Sequence, residues 1–519
     1  MDTDRLTIPA LLRTFAGNPR DLLVCDSERL TYDGAERRSR DVAKALLAMG
    51  AGKGTRVALL FPNSVDFVVH WLGITRIGAI ALPISTMSTA HELGWLLAHA
   101  DAKFVFAAPS YRAQDFRALL SAVVQEEDLS QPLLTPRVPS LRRVFFAGDS
   151  LPDAEDALLA AMEDMVFPSD RLTIVHTSGS TSAPKGVIHA HGPLLRHMVR
   201  LNAIRAYKNS DKLFSNSPFF WIGGLAYSLL ATMLAGATLV CSNSQMAAET
   251  LSLLERERPN MGNGFALGVR HLTQDPSFAR RDLSSLTRGN LYPLMPAHLR
   301  PSDPELRHNL LGMTEAGSVC LLHPDEADQP ESRRGSFGTL APAFAARIVD
   351  PDSGAECADG ETGEFWLRGE PLMEGYYGRE RHETFTPDGW YRTGDMMMRS
   401  AEGLYFFKGR RGDMIKTAGA NVSPREVEAA LREVAGIDEC LVIGVDDPER
   451  GQVVVAVIPG SQKPVDEKSV RAALAERLSV YKVPRRIIHY GRQPLPMLSS
   501  GKVDVNRLRE QVKEQISGR

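Results

Sequence analysis

The chain has 519 residues, 43% hydrophobic and 24% charged, with a formal net charge of −3. That length exceeds one ordinary core and predicts two or more domains, while no basic excess favours nucleic acid or acidic membrane as the main partner. Five cysteines (Cys25, Cys241, Cys320, Cys357, Cys440) lie far apart without a CxxC, which favours a reduced, cytoplasmic setting.

The opening stretch "MDTDRLTIPALLRTF" carries acidic residues and Pro9 where a secretory leader needs a basic and then an apolar run. "RVALLF" (56–61), an amphipathic stretch near 64–77 and "AIALPI" (79–84) begin an alternation of apolar runs with helical patterns. "KFVFAA", "RRVFFA" and "LTIVHT" continue it, which predicts α/β layers around buried, largely parallel strands. "SQPLLTPRVPS" (130–140) reads as a proline-rich surface connection. Trp221 to Cys241 is uncharged and long enough for a bilayer, but Gly236 before "ATLVC" argues for a buried helix, a turn and a buried strand. No membrane span is expected, and the terminal "SGR" is no peroxisomal address.

The pattern changes near 406–431. Beyond it a short helix, strands around 438–446 and 452–458, a helix near 466–479 and an end helix after 504 form a small α+β unit. "SPRE" (423–426) offers a serine cap, proline at the first helical position and a glutamate that reaches back. Composition puts the boundary at about residue 410, giving domains 1–409 and 410–519.

"TSGSTSAPKG" (177–186) has the chemistry of a phosphate cradle, although no G-K-[ST] follows. Gly179 lets the backbone pass close to an anion. The hydroxyls of Thr177, Ser178, Ser180 and Thr181 can donate to phosphate oxygens, and Lys185 can neutralise charge. Taken alone, such a run is equally an ordinary flexible turn.

It does not stand alone. "LLGMTEAG" (310–317), "WYRTGD" (390–395), "GRRGDMIKTAGANVSPREVE" (409–428) and "SSGKVD" (499–504) follow it in order. Together the five motifs resemble those of the adenylate-forming (ANL) superfamily, which includes acyl-CoA synthetases, from about residue 20 to the end. The resemblance implies a large α/β N-terminal domain of layered sheets with a small β-rich subdomain, plus the small α+β C-terminal domain. It implies that Thr177, Ser178, Gly179, Ser180, Thr181 and Lys185 wrap the outer phosphates of ATP. By the same resemblance Thr314 contacts the α-phosphate, Glu315 with Thr177 holds Mg²⁺, and Asp395 accepts from both ribose hydroxyls. Arg410 would bind ribose or phosphate, and Lys502 would bridge the substrate carboxylate and the α-phosphate. Rotation about a hinge would then bring the loop 416–423, with Lys416 and Gly419, to form a channel for coenzyme A.

Several positions depart from the family pattern. Gly412 stands at the pivot, where Asp or Lys is usual, and keeps the rotation sterically easy. Leu311 replaces the aromatic that precedes the glycine of the second motif. "RGNLYPLMP" (288–296), with Gly289, takes the place of the turn lining adenine and acyl group, and its Tyr292 is the candidate to replace the missing ring. In "SPFFWIGG", Phe220 stands where a histidine is common.

Phe219, Phe220 and Trp221 offer apolar surface and Gly223 and Gly224 leave room, so this stretch reads either as core or as the acyl pocket. With Leu311 and Gly289 it makes the expected substrate wall. No aspartate lies there to pair an ammonium, which points to an apolar carboxylic acid without an α-amino group. His176, His189, His191 and His197 crowd around the loop without an acidic or cysteine partner at zinc-ligand spacing. No GxSxG or HExxH occurs. The expected enzyme is an ATP- and Mg²⁺-dependent acyl-CoA synthetase. The alternatives are loading of a carrier protein's pantetheine, a luciferase-like oxygenase and a catalytically weakened binding homologue. Which acid is used, and whether the chain forms a homodimer, are left open.

Overall fold

Each apolar run named above becomes a buried strand. In the computed structural model the described residues are 3–177, 184–411, 414–417, 420–422, 424–447, 451–460, 462–478, 482–491, 494–497 and 503–517. The chain divides into two compact units, Met1–Ala345 with Arg368–Gly389, and Ala346–Leu367 with Trp390–Arg519.

The first unit holds a seven-stranded and a six-stranded sheet. The seven-stranded sheet runs Gly375–Tyr376, Lys185–Ala190, Arg171–Thr177, Ile80–Pro83, Arg56–Leu60, Phe104–Ala107, Arg143–Phe146. Its last five strands are parallel, and Lys185–Ala190 joins antiparallel to both neighbours. The six-stranded sheet is likewise parallel except for its edge strand Glu28–Thr31.

The helix Val65–Thr75 corrects one expectation. It is buried on all sides except at Asp66, because its side chains join one core with strands from both sheets. A helix packed on both faces has no solvent stripe to display. Gly73 is obligatory there: a Cβ would stand 2.6 Å from Val42 Cβ of the neighbouring helix. The uncharged stretch 221–241 folds as a π-helical turn Gly223–Leu230, a helix Ala231–Ala235, left-handed Gly236 (φ +68°) and the buried strand Thr238–Cys241. Among the described residues no helix is long and apolar enough to cross a membrane.

The second unit contains a four-stranded sheet in the order Phe344–Val349, Thr362–Gly369, Tyr391–Arg399, Tyr405–Arg410. Position 410, where composition changes, is the last residue of that sheet. A five-stranded sheet is built around Gly451–Pro459, the strand expected at 452–458. Its alternation is visible in the packing. Val454, Ala456 and Ile458 face a core with Val427, Leu431 and Leu474 of the helices Pro424–Ala435 and Glu467–Ala475. Val455 and Val457 face the opposite core with Leu508 and Val512 of Val505–Ser517. The strand Arg486–Tyr490, which lies parallel to Gly451–Pro459, was not anticipated. Pro424 opens its helix as expected, while the capping Ser423 lies outside the described residues.

Candidate active site

The phosphate-like loop closes a β-hairpin. Thr177 ends one strand, Lys185 begins the next, and the two are register partners at the mouth. Ser178, Gly179, Ser180 and Thr181 lie outside the described residues. The glycine after Lys185 is required by packing, since a Cβ on Gly186 would meet Ile174 at 2.9 Å and both His176 and Tyr377 at 3.2 Å.

Two further elements of the first unit meet this hairpin. The short strand Gly375–Tyr376 pairs with it, Val187 opposite Tyr376. The ring of Tyr376 lies under the Lys185 ammonium, 5.0 Å from Nζ to the centroid, and its hydroxyl donates to Glu315 Oε1 at 2.8 Å. Glu315 belongs to the helical turn Thr314–Ala316, and its carbonyl accepts from Met373 N–H at 2.8 Å. On the hairpin side, His189 Nε2 lies 2.7 Å from the Thr314 carbonyl. Burial drives the His189 pKa down to about 4, so the ring is neutral near pH 7 and its Nε2–H donates. The turn is therefore tied at three points. The Lys185 ammonium and the Glu315 carboxylate are both held by Tyr376, and Thr177 is the strand partner of Lys185. Glu315 Oε1 accepts the Tyr376 hydrogen bond, and Oε2 takes no part in it.

The expected substrate residues have different fates. Phe219 is fully buried, its ring tilted 56° against that of Phe67 (centroids 5.4 Å apart) and its N–H on Asn63 Oδ1 at 2.7 Å, so it belongs to the core. Phe220 meets Trp221 edge-on at 5.4 Å, and Trp221 meets the exposed ring of Phe265 at 5.9 Å. Gly223 faces open space, with nothing within 4 Å of a built Cβ. Gly224 is the reverse: a Cβ would lie 2.0 Å from the Pro218 carbonyl oxygen. A Cβ on Gly289 (φ +103°) would likewise lie 2.1 Å from the Gly262 carbonyl oxygen. Leu311 sits half-buried opposite Leu321 on a short antiparallel pair. Tyr292 is packed on a separate core with Leu291 and Leu294, the Arg307 guanidinium 5.9 Å from its centroid.

In the second unit Asp395 and Arg410 are cross-strand partners, Arg410 Nε lying 2.6 Å from Asp395 Oδ1. The turn before Asp395 is fixed by Thr393, whose hydroxyl accepts from Asp395 N–H at 3.0 Å and donates to the Phe365 carbonyl at 2.6 Å. Buried Glu364 accepts from Gly394 N–H at 3.2 Å and lies 3.5 Å from Arg411 Nη1. Lys416 pairs with Asn421 through the hairpin backbone. Gly412, Gly419 and Lys502 lie outside the described residues.

The four histidines go separate ways. His189 holds Thr314, His191 Nδ1 accepts from Ile8 N–H at 3.2 Å, and His197 Nε2 bonds the Val319 carbonyl at 2.9 Å. His176 is half-buried, and its two ring nitrogens are shut off from solvent without a hydrogen bond. Among the described residues no three His, Cys, Asp or Glu side chains form a metal-holding group. Tyr376 and the His189 anchor escaped the sequence reading. The strand that carries Tyr376 is two residues long, too short for any periodicity to announce it.

Comparison with known proteins identifies the family. Residues 12–377 match the AMP-binding enzyme family, and residues 426–502 match the AMP-binding enzyme C-terminal domain. The chain is 30% identical over 494 residues to the long-chain-fatty-acid–CoA ligase FadD13 of Mycobacterium tuberculosis, covering 93% of each chain. It is 28% identical over 512 residues to the sulfoacetate–CoA ligase of Cupriavidus necator, covering 96% of each. Among solved structures, ATP-bound MatB from Rhodopseudomonas palustris has the same fold, with a TM-score of 0.80 at 24% identity over 98% of this chain and 99% of that one. With both segments matched and identity at this level running nearly end to end, the chain belongs to the adenylate-forming superfamily of AMP-binding enzymes, among its AMP-forming acid–thiol ligases.

Proposed function

We propose that this ligase activates an apolar carboxylic acid lacking an α-amino group and delivers the acyl group to coenzyme A. In the first step a substrate carboxylate oxygen attacks the α-phosphorus of ATP and pyrophosphate leaves, giving an acyl-adenylate. In the second, the thiol sulfur attacks the acyl carbon, its proton is lost and AMP leaves. The observation that carries the reading is Glu315, anchored by Tyr376 beside Lys185 and the hairpin mouth.

The roles follow from charge. Two anions must approach in the first step, so cations and donors fixed at the phosphates lower the barrier most. Thr177, Lys185 and the loop between them would hold the outer phosphates. Glu315 Oε2 and the Thr177 hydroxyl would hold Mg²⁺, which when bound supplies positive charge against the departing pyrophosphate. Thr314 would meet the α-phosphate, Asp395 the ribose diol, Arg410 ribose or phosphate, and Lys502 the pair of reacting anions. Residues 410–519 would turn about Gly412 between the steps, with Lys416 and Gly419 lining the thiol's path.

The named relatives act on chemically unlike acids, a long-chain fatty acid and sulfoacetate, so kinship does not choose the substrate. Phe220, Trp221 and Phe265, with the open space at Gly223, support an apolar acyl group. The test is pyrophosphate release across a panel of aliphatic, aromatic, alicyclic and amino acids, followed by mass analysis of the CoA thioester. Turnover of amino acids alone would exclude the assignment. Product that requires a carrier protein or oxygen in place of free CoA would redirect it.

A further inference from the structure

We propose that Tyr376 is the positioning residue that holds the metal-binding carboxylate and the phosphate-binding ammonium apart and in register, an inference that rests on the roles just given to Glu315 and Lys185. Tyr376 is 6% exposed and its backbone is clamped from both sides. Glu374 N–H donates to the Ile188 carbonyl at 2.9 Å, and Tyr377 N–H donates to the Gly186 carbonyl at 2.7 Å. The ring thus moves with the hairpin that carries the phosphate loop.

From that fixed point its hydroxyl and its ring face make different contacts. The hydroxyl donates to Glu315 Oε1, 61 residues away in the chain, and so sets the rotation of the carboxylate. The ring face attracts the Lys185 ammonium through its quadrupole at 5.0 Å, and Arg379 lies 5.8 Å from the same centroid. Among the described residues no ion pair joins Lys185 to Glu315. That separation has a chemical consequence. A direct Lys185–Glu315 ion pair would cancel the charge that each must present to ligand. With each held by the phenol instead, the carboxylate keeps one oxygen for a divalent cation and the ammonium keeps its protons for phosphate. Neither contact needs the tyrosine to ionise or to touch substrate.

The two contacts can be separated by substitution. Tyr376→Phe keeps the ring face and removes the hydroxyl; Tyr376→Leu removes both. The probe is Mn²⁺, whose binding is read by electron paramagnetic resonance with an α,β-methylene analogue of ATP present. Affinity for the same analogue without metal is measured separately by equilibrium dialysis. For Tyr376→Phe we expect Mn²⁺ affinity to fall about tenfold, as when an outer partner of a metal ligand is lost, with metal-free analogue affinity unchanged. For Tyr376→Leu we expect both affinities to fall. Unchanged Mn²⁺ affinity in Tyr376→Phe overturns the proposal, as does an equal loss of metal-free affinity in Phe and Leu variants. Wild-type protein that binds the analogue but no Mn²⁺ overturns the assignment of Glu315, a distinct result that removes the proposal with it. Thermal unfolding verifies that the variants fold, and if the Leu variant does not, the Phe variant alone decides.

Discussion

Arg410 and Asp395 form an ion pair of unequal exposure: the carboxylate side chain is 2% exposed and the guanidinium 57%. The two sit opposite each other on neighbouring antiparallel strands, so the pair is set by backbone register as much as by charge. A buried carboxylate capped by a solvent-facing cation can exchange that partner for a ligand's donors without crossing the protein interior. Removing the cation takes away one charge partner and leaves the desolvation in place. Arg410→Ala is therefore expected to lower stability by about 1–3 kcal/mol in urea unfolding. Asp395→Asn is expected to change stability less while raising the KM for ATP at least tenfold, because an amide offers one acceptor oxygen where a diol asks for two. Equal KM values for wild type and Asp395→Asn would detach this pair from nucleotide binding.

Two adjacent glycines give a sharper contrast. A methyl on Gly223 enters open space, whereas one on Gly224 would collide with the Pro218 carbonyl oxygen at 2.0 Å. Gly224→Ala is expected to destabilise the fold by about 2 kcal/mol or more, since backbone must shift to admit it. Gly223→Ala is expected to keep the wild-type melting temperature and to act on substrate choice, discriminating against the bulkiest acids of the panel. Identical acid preference before and after Gly223→Ala would mean that the open space is not acyl space.

Much of the fold was legible because its strands are buried on one or both faces. Val454 and Val455 belong to opposite cores, which is the period-two rule applied to neighbours. The five motifs were legible because each couples a tight backbone turn to charged or hydroxyl side chains. The helix Val65–Thr75 was misjudged because burial from two sides is a property of two sheets far apart in sequence, not of its own eleven residues. Phe219 and Trp221 lie in an irregular segment with no period, so nothing local assigns the first to the core and the second to a half-buried edge. The histidines looked like a cluster because they are close in sequence. Alternation along one strand and the start of a helix send their rings to unrelated partners.

Those rings contribute to the acid sensitivity of the first unit. Burial lowers the pKa to about 3 for His176 and His191 and to about 4 for His189 and His197. Below about pH 6.5 the unfolded chain binds protons that the native state refuses, so unfolding takes up protons. Stability from this source is complete above about pH 6.5 and falls as the pH drops toward the folded values. Each such histidine adds about 1.4 kcal/mol per pH unit to the slope within that window. His176 is the best single probe, because neither ring nitrogen holds a hydrogen bond to lose. His176→Leu is expected to leave stability at pH 7.5 within about 1 kcal/mol and to reduce the slope between pH 6 and 5 by close to one proton. Urea titrations at four pH values measure both quantities. An unchanged slope would mean that His176 is protonated in the native state.

Lys502 is the residue on which the two half-reactions should separate. Its proposed task is electrostatic: a single ammonium shared by the incoming carboxylate and the α-phosphate as they approach, with no counterpart once the mixed anhydride exists. Thiol attack on the acyl carbon starts from a neutral anhydride carbonyl and needs no cation between two anions. Lys502→Ala is thus expected to lose adenylation by a factor of about 100 or more, in the range seen when one fixed donor is removed from a charged transition state. The same variant, given synthetic acyl-adenylate and CoA, is expected to form thioester within a few-fold of wild type. Pyrophosphate release measures the first step and thioester mass the second, on one preparation. Parallel loss of both would assign Lys502 to the structure of the C-terminal segment instead of to one chemical step, and with it would go the division of labour between the two conformations.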